Sequence, residues 1–195
     1  MKIMQLCVGV VATNCYIVYD ENTRDAVVID PGDNARSILM AVGQESLTVK
    51  YVLLTHAHFD HILAAHEVLQ KTGAKFVVPE GDLWLLKREN MGQFGMFART
   101  YVEDQPDIVA KEGTEVTFGG LTASYMSTPG HTPGSSVIRI EDCLFTGDTL
   151  FRHECGRCDM DGGDFGQMLQ SLKRLHDLAG DYKVMPGHEG LSTLN

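Results

Sequence analysis

The sequence predicts an α/β protein in which two β-sheets pack together and are covered by helices. Three observations carry that expectation. Strand-length runs rich in Val, Ile and Tyr recur along the 195 residues. Segments with apolar residues at helical spacing lie between them. Hydrophobic residues make up 44% of the chain, enough for a substantial core in one large domain spanning 1–195.

Residues 2–10, 14–20 and 25–30 read as strands, the last ending in Val28-Ile29-Asp30-Pro31-Gly32. The first run has one charge and no small-x-small cleavage site, so it reads as a strand rather than a signal peptide. A helix is expected over 34–43 and a short buried strand over 51–54. The next helix, 61–71, carries Ile62, Leu63, Ala65, Val68 and Leu69 and is stopped by Gly73. A strand over 75–78 and a helix over 80–89 follow, with Trp84 in or near the core.

Residues 90–112 hold Met91, Phe94, Met96, Phe97 and Tyr101 without clean periodicity. They read either as a loop whose apolar residues cover the core or as a flap over an active site, with Phe97 and Tyr101 on the substrate wall. Strands are then expected near 114–118, 121–127, 135–140 and 143–146. A strong helix covers 165–179, with Asp164 as N-cap, Gln167 as its capping-box partner and Gly180 as its stop. Its apolar stripe is Phe165, Met168, Leu169, Leu172, Leu175 and Leu178, and residues 182–185 form the final strand.

The net charge is −10, from 16 basic and 26 acidic residues. Such a balance repels phosphate backbones and anionic lipid, so neither nucleic acid nor a membrane is the expected partner. No apolar run reaches the length of a membrane span. The five cysteines are an odd count in a chain that is not small, which argues against a secreted disulfide framework and for the cytoplasm. Nothing in the pattern specifies an oligomer.

The chemistry concentrates in Thr55-His56-Ala57-His58-Phe59-Asp60-His61. Extended backbone sends His56 and His58 to the same side, so both can reach one cation. Asp60 and His61 lie where the chain turns into a helix and can diverge toward a second. Unpaired, such groups would be costly to bury. Three later segments repeat one design, a short strand, a tight turn and a ligand-type residue: Ser127-Thr128-Pro129-Gly130-His131, Phe145-Thr146-Gly147-Asp148 and Met185-Pro186-Gly187-His188.

This full set resembles the metallo-β-lactamase superfamily, and more closely its glyoxalase II-like (hydroxyacylglutathione hydrolase-like) branch of short bacterial members. The resemblance also rests on Thr132-Pro133-Gly134, Thr149-Leu150-Phe151, Gly156-Arg157 with Asp159, Gly162-Gly163 and Val28 to Gly32. It implies a four-layer αββα sandwich with two metal ions at one edge. His56, His58 and His131 would hold one ion, and Asp60, His61 and His188 the other. Asp148 would bridge them, with Asp30 behind them orienting ligands. Arg157 matches a position where the family sets a basic residue against a glutathione carboxylate. The family's aromatic two residues later is Asp159 here, and the seven residues after His188 leave no room for the helical domain that supplies further basic contacts to glutathione.

The activity that the resemblance implies is hydrolysis of a small-molecule thioester, S-lactoylglutathione or another acyl thioester. Two divalent ions about 3.5 Å apart can share a water and lower its pKa toward neutrality. Zinc leads, with iron and manganese compatible with the same N and O donors. By the same resemblance Asp60 and Asp148 would be the catalytic carboxylates, Asp60 also orienting the attacking oxygen. A thiol of pKa about 8.5 leaves as thiolate without a separate acid, which favours a thioester. Persulfide dioxygenases resemble this branch too, with one iron on a His-His-Asp face, but the intact Pro186-Gly187-His188 leans toward hydrolysis. A lactonase would keep the same ligands. Cys155-Gly156-Arg157-Cys158 reads first as a surface loop with two incidental thiols, and alternatively as a redox pair. His66, His153 and His176 fall outside the ligand pattern.

Overall fold

The computed structural model describes residues 1–90 and 101–194. Its strands are β1 (Lys2–Val8), β2 (Thr13–Tyr19), β3 (Asp25–Ile29), β4 (Thr48–Leu53), β5 (Lys75–Pro79), β6 (Ile108–Ala110), β7 (Glu115–Phe118), β8 (Leu121–Ser127), β9 (Ser136–Ile140), β10 (Cys143–Gly147), β11 (Lys183–Pro186) and β12 (Ser192–Thr193). Its helices are α1 (Ala35–Gln44), α2 (Phe59–Ile62), α3 (Ala65–Thr72) and α4 (Phe165–His176). Two six-stranded sheets have the orders β1-β2-β3-β4-β5-β6 and β12-β11-β10-β9-β8-β7. Both are mixed: β3, β4, β5 and β6 run parallel in the first, and only β10 and β11 do so in the second.

The alternation of side chains along each strand builds the layers. Tyr16 and Val18 of β2 point into the space between the sheets, with Ile29, Leu53, Phe118, Tyr125, Ile138 and Phe145. Ile17 and Tyr19 point the other way, into a second core with Ile38 and Val42 of α1 and Val68 of α3. Every residue of β2 is therefore buried, as in strands covered on both faces. A smaller cluster, Met126, Val137, Leu144 and Leu175, seats α4 on the outer face of the second sheet. The result is the helix–sheet–sheet–helix sandwich.

Asp164 caps α4 by accepting from Gln167 N at 2.9 Å, as expected from the sequence. Gln167 Nε2 returns to the Asp164 side chain, at 3.5 Å, rather than to its backbone. The expected stripe is only partly buried: Met168 and Leu175 face the core, while Phe165 and Leu169 stay 60% and 52% exposed. The helix also stops at His176, short of 179.

Two helices differ from expectation for identifiable reasons. The segment 61–71 is broken into α2 and α3, because the Ala64 N–H donates to Pro31 O at 2.9 Å instead of closing a helical turn. Residues 80–89 form tight turns with i→i+3 bonds, Leu85 N to Asp82 O and Lys87 N to Trp84 O, starting from a 3-10 turn at Glu80–Asp82. The Asp82 side chain there is drawn fully into the protein. Strand β6 lies within the segment expected to be irregular, and β12 was not anticipated.

Candidate metal centre

Each ligand-type residue follows the C-terminal end of a strand. His56 to His61 follow β4, His131 follows β8, Asp148 follows β10, His188 follows β11, and Asp30 follows β3. Donor atoms within 4.8 Å of one another form a group of Asp30, His56 and His61 and the two groups expected to hold ions: His56, His58 and His131, and Asp60, His61 and His188. Asp148 stands between them. Its Oδ2 is 3.4 Å from His131 Nε2 and 3.5 Å from His188 Nε2, and its Oδ1 is 3.4 Å from His61 Nε2. Asp60 Oδ2 faces both His61 Nε2 (3.5 Å) and His188 Nε2 (3.3 Å).

The far ring nitrogens are engaged by groups outside this cluster. His56 Nδ1 meets Thr55 Oγ1 at 3.1 Å, His61 Nδ1 meets Asp30 Oδ2 at 3.0 Å, and His131 Nδ1 meets the Arg157 carbonyl at 2.6 Å. Each contact fixes a ring orientation that aims Nε2 into the centre. His58 instead turns Nδ1 inward, 2.9 Å from His131 Nε2. Asp30 is itself held in place, accepting from Thr55 N at 2.8 Å and Thr55 Oγ1 at 2.6 Å. It acts on the cluster through Thr55 and His61.

The donors fit cations. His56 Nε2, His61 Nε2 and Asp148 Oδ1 are buried and find no hydrogen-bond partner among the described residues. Buried polar atoms are otherwise almost always paired. Gly187 has no side chain where one is forbidden: a Cβ there would collide with Asp148 Oδ1 and His61 Cε1. Burial and the neighbouring His131 and His61 push His58 down to about 3, and burial with the surrounding histidines also lowers His56, so both rings present lone pairs. Burial would raise Asp60, but His61 and His188 overturn it and hold the carboxylate low. Burial opposes a charge on His61, yet Asp60, Asp30 and Asp148 raise it. The centre is built to hold positive charge.

The supports include residues outside the ligand pattern of the sequence. Thr13 Oγ1 donates to Asp60 Oδ2 at 2.9 Å. Asn14 Nδ2 donates to Pro186 O and Glu189 O, both at 3.0 Å, and Tyr16 Oη to Pro186 O at 2.8 Å, gripping the His188 turn from β2. Two polar residues opening an otherwise apolar strand were the available signal. Asp82 accepts from Ala57 N (2.9 Å), Thr132 Oγ1 (2.8 Å) and Gly134 N (2.7 Å), tying the His56–His58 turn to the turn after His131. No local pattern marked it, since Gly81-Asp82 reads as an ordinary helix start.

A cavity of about 420 Å³ opens over the cluster, with His58, Asp60, His131, Asp148 and His188 on its floor. Val11, Phe59, Phe151 and Met160 supply apolar wall, and Glu154, Cys155 and Arg157 supply polar wall. Arg157, expected against a carboxylate of the substrate, is engaged by Asp159: Nε to Oδ1 at 2.6 Å and Nη2 to Oδ2 at 2.9 Å. Tyr101, expected on the substrate wall, packs in the helix-side core at 8% exposure. Its hydroxyl is already satisfied by Leu86 O at 2.8 Å, so it has no reason to turn outward. Phe97 lies outside the described residues.

The description "Metallo-beta-lactamase superfamily" belongs to the family model that matches residues 8–188, and the chain belongs to this superfamily. It is similar to the hydroxyacylglutathione hydrolase GloC of Haemophilus influenzae, 30% identical over 195 residues covering 93% of this chain and 87% of that protein. It is also similar to the crystal structure of the BLEG-1 B3 metallo-β-lactamase, with TM-score 0.91, 32% identity and coverage of 99% and 94% of the two chains. ETHE1 from Myxococcus xanthus matches with TM-score 0.82, 30% identity and coverage of 100% and 80%. No helix among the described residues is long and apolar enough to cross a membrane.

Proposed function

We propose that this protein is a dinuclear metallohydrolase that cleaves small acyl thioesters. The observation that carries the reading is the convergence of all seven donors, with Asp148 between two histidine groups and five of them, His58, Asp60, His131, Asp148 and His188, on the floor of one cavity. In this reading His56 Nε2, His58 Nδ1 and His131 Nε2 hold one cation, and Asp60, His61 and His188 hold the second. Asp148 contributes to both. Zinc is the cation assigned, the N and O donors being compatible with iron and manganese too. Bound there, divalent ions would lower the pKa of a shared water toward neutrality and offset the charge that develops on an attacked carbonyl oxygen.

The protein's own groups do the rest. Thr13 fixes Asp60 through Oδ2, leaving Oδ1 to hold a proton of the attacking water. Asp30 and Thr55 keep His61 and His56 in their tautomers. Val11, Phe59, Phe151 and Met160 exclude water from around the acyl group. Thioester over amide follows from the leaving group: a thiol of pKa about 8.5 departs as thiolate, whereas an amine must be protonated first. The likeness to a hydroxyacylglutathione hydrolase supports this choice, and the likeness to a B3 metallo-β-lactamase makes a β-lactam the second reading. Thiols that stay free, Cys15 and Cys143 among them, fit a cytoplasmic setting.

The test is a substrate panel on protein of measured metal content: S-lactoylglutathione, neutral acyl thioesters, an acyl lactone, a β-lactam and a persulfide with an oxygen electrode. Thiol release with two metals per chain is expected. Turnover confined to the lactone, the lactam or oxygen uptake would overturn the thioesterase reading.

A further inference from the structure

The cavity wall has one cationic side chain among its described residues, Arg157. Two of its three nitrogens are already committed. Nε and Nη2 meet both carboxylate oxygens of Asp159 in a parallel fork, at 2.6 and 2.9 Å. That fork is the geometry in which a guanidinium recognises a carboxylate of any origin, a ligand's included. The pair is held close to the reacting centre, because the Arg157 carbonyl accepts from His131 Nδ1 and the Gly156 N–H donates to Asp148 O. Glu154 adds a carboxylate to the same wall, and the whole chain carries a net charge of −10. A carboxylate-bearing thiol carrier thus meets an occupied fork and like charge. An uncharged carrier meets the apolar patches of Val11, Phe59, Phe151 and Met160.

We propose that Asp159 is a specificity-determining residue that masks Arg157 and selects uncharged thioester carriers over anionic ones. The inference rests on the thioesterase reading for its substrate class, but the masking is a binding property and can be measured without turnover. Arg157 and Asp159 are 59% and 70% exposed, so the mask is water-screened and its removal gives a moderate effect.

The experiment uses the metal-loaded protein and two non-hydrolysable thioethers, anionic S-methylglutathione and neutral N-acetyl-S-methylcysteamine, with titration calorimetry as readout. Asp159→Asn keeps the shape and removes the charge. It should tighten S-methylglutathione by about two- to fivefold in low salt and leave the neutral thioether unchanged, in line with an exposed charge pair. Adding Arg157→Ala should erase the gain of the Asp159→Asn variant. In parallel, kcat/KM for S-lactoylglutathione should rise through KM alone, with hydrolysis of a neutral acetyl thioester unchanged. If Asp159→Asn fails to favour the anionic ligand, or if its gain survives when Arg157→Ala is added, the mask is refuted. Selective tightening without any thioester hydrolysis would uphold the mask and sink only the thioesterase reading.

Discussion

Asp82→Ala tests how the centre is held together. The carboxylate is fully buried and accepts three hydrogen bonds, from Ala57 N, Thr132 Oγ1 and Gly134 N. Thr132 Oγ1 has a second partner, Ser135 Oγ at 2.8 Å, so truncation strands two backbone donors rather than three groups. Each buried orphan costs about 1–3 kcal/mol. Burial itself raises the pKa of Asp82 against the three donors that lower it, so the ionised form already bears a desolvation cost that the variant would no longer carry. The net loss should be about 3 kcal/mol, the small cavity included. Asp82→Asn keeps one acceptor and turns an NH₂ toward the other donor, so it should lose about half as much. Urea unfolding of chelator-treated protein measures the stability term. Cobalt titration followed by its visible spectrum measures the site term, with weaker binding expected first at the His56–His58–His131 group. An unchanged urea midpoint together with an unchanged cobalt spectrum would refute the reasoning.

Three further expectations follow from the same geometry. Asp148→Ala should remove most activity and bound metal while the fold survives, as read by metal analysis and circular dichroism; a variant with two metals and full turnover would contradict the bridging role. Gly187→Ala places a methyl group on Asp148 Oδ1 and His61 Cε1, so metal affinity should fall by about tenfold or more, the scale seen when groups supporting metal ligands are disturbed. Wild-type affinity in that variant would mean the turn relaxes freely. Glu112 accepts from Arg174 at 2.7 and 2.8 Å, a contact that leads the lowering of its pKa and joins α4 to the segment before β7. A lowered carboxylate stabilises above its unfolded pKa and loses that contribution as pH falls through its folded value. Because the pair is half exposed, Glu112→Gln should cost less than about 1 kcal/mol at neutral pH, with the gap to wild type in thermal midpoint closing in acid. A gap independent of pH would assign the effect to packing.

The sequence by itself determined the parts of this protein that are local in origin. Short runs of strand-forming residues marked β4, β8, β10 and β11, the last three leading into Pro-Gly or Thr-Gly turns, and each delivered its histidine or aspartate because side-chain direction follows directly from backbone geometry over a few residues. Asp164 likewise announced the start of α4 through a bond to its own third neighbour. Tertiary structure decided whatever depended on a partner distant in sequence. The Pro31 carbonyl broke the helix between α2 and α3, and Leu86 O drew Tyr101 into the core. Thr13 reached Asp60 across 47 positions, and Asp82 tied two ligand turns from opposite sheets. Such contacts leave no periodic trace, because a buried polar group is satisfied by whichever donor the packed sheets bring to it. Even the neighbouring pair Arg157 and Asp159 was legible as charge but not as a closed fork, since their joining is set by a strap anchored to His131 and Asp148.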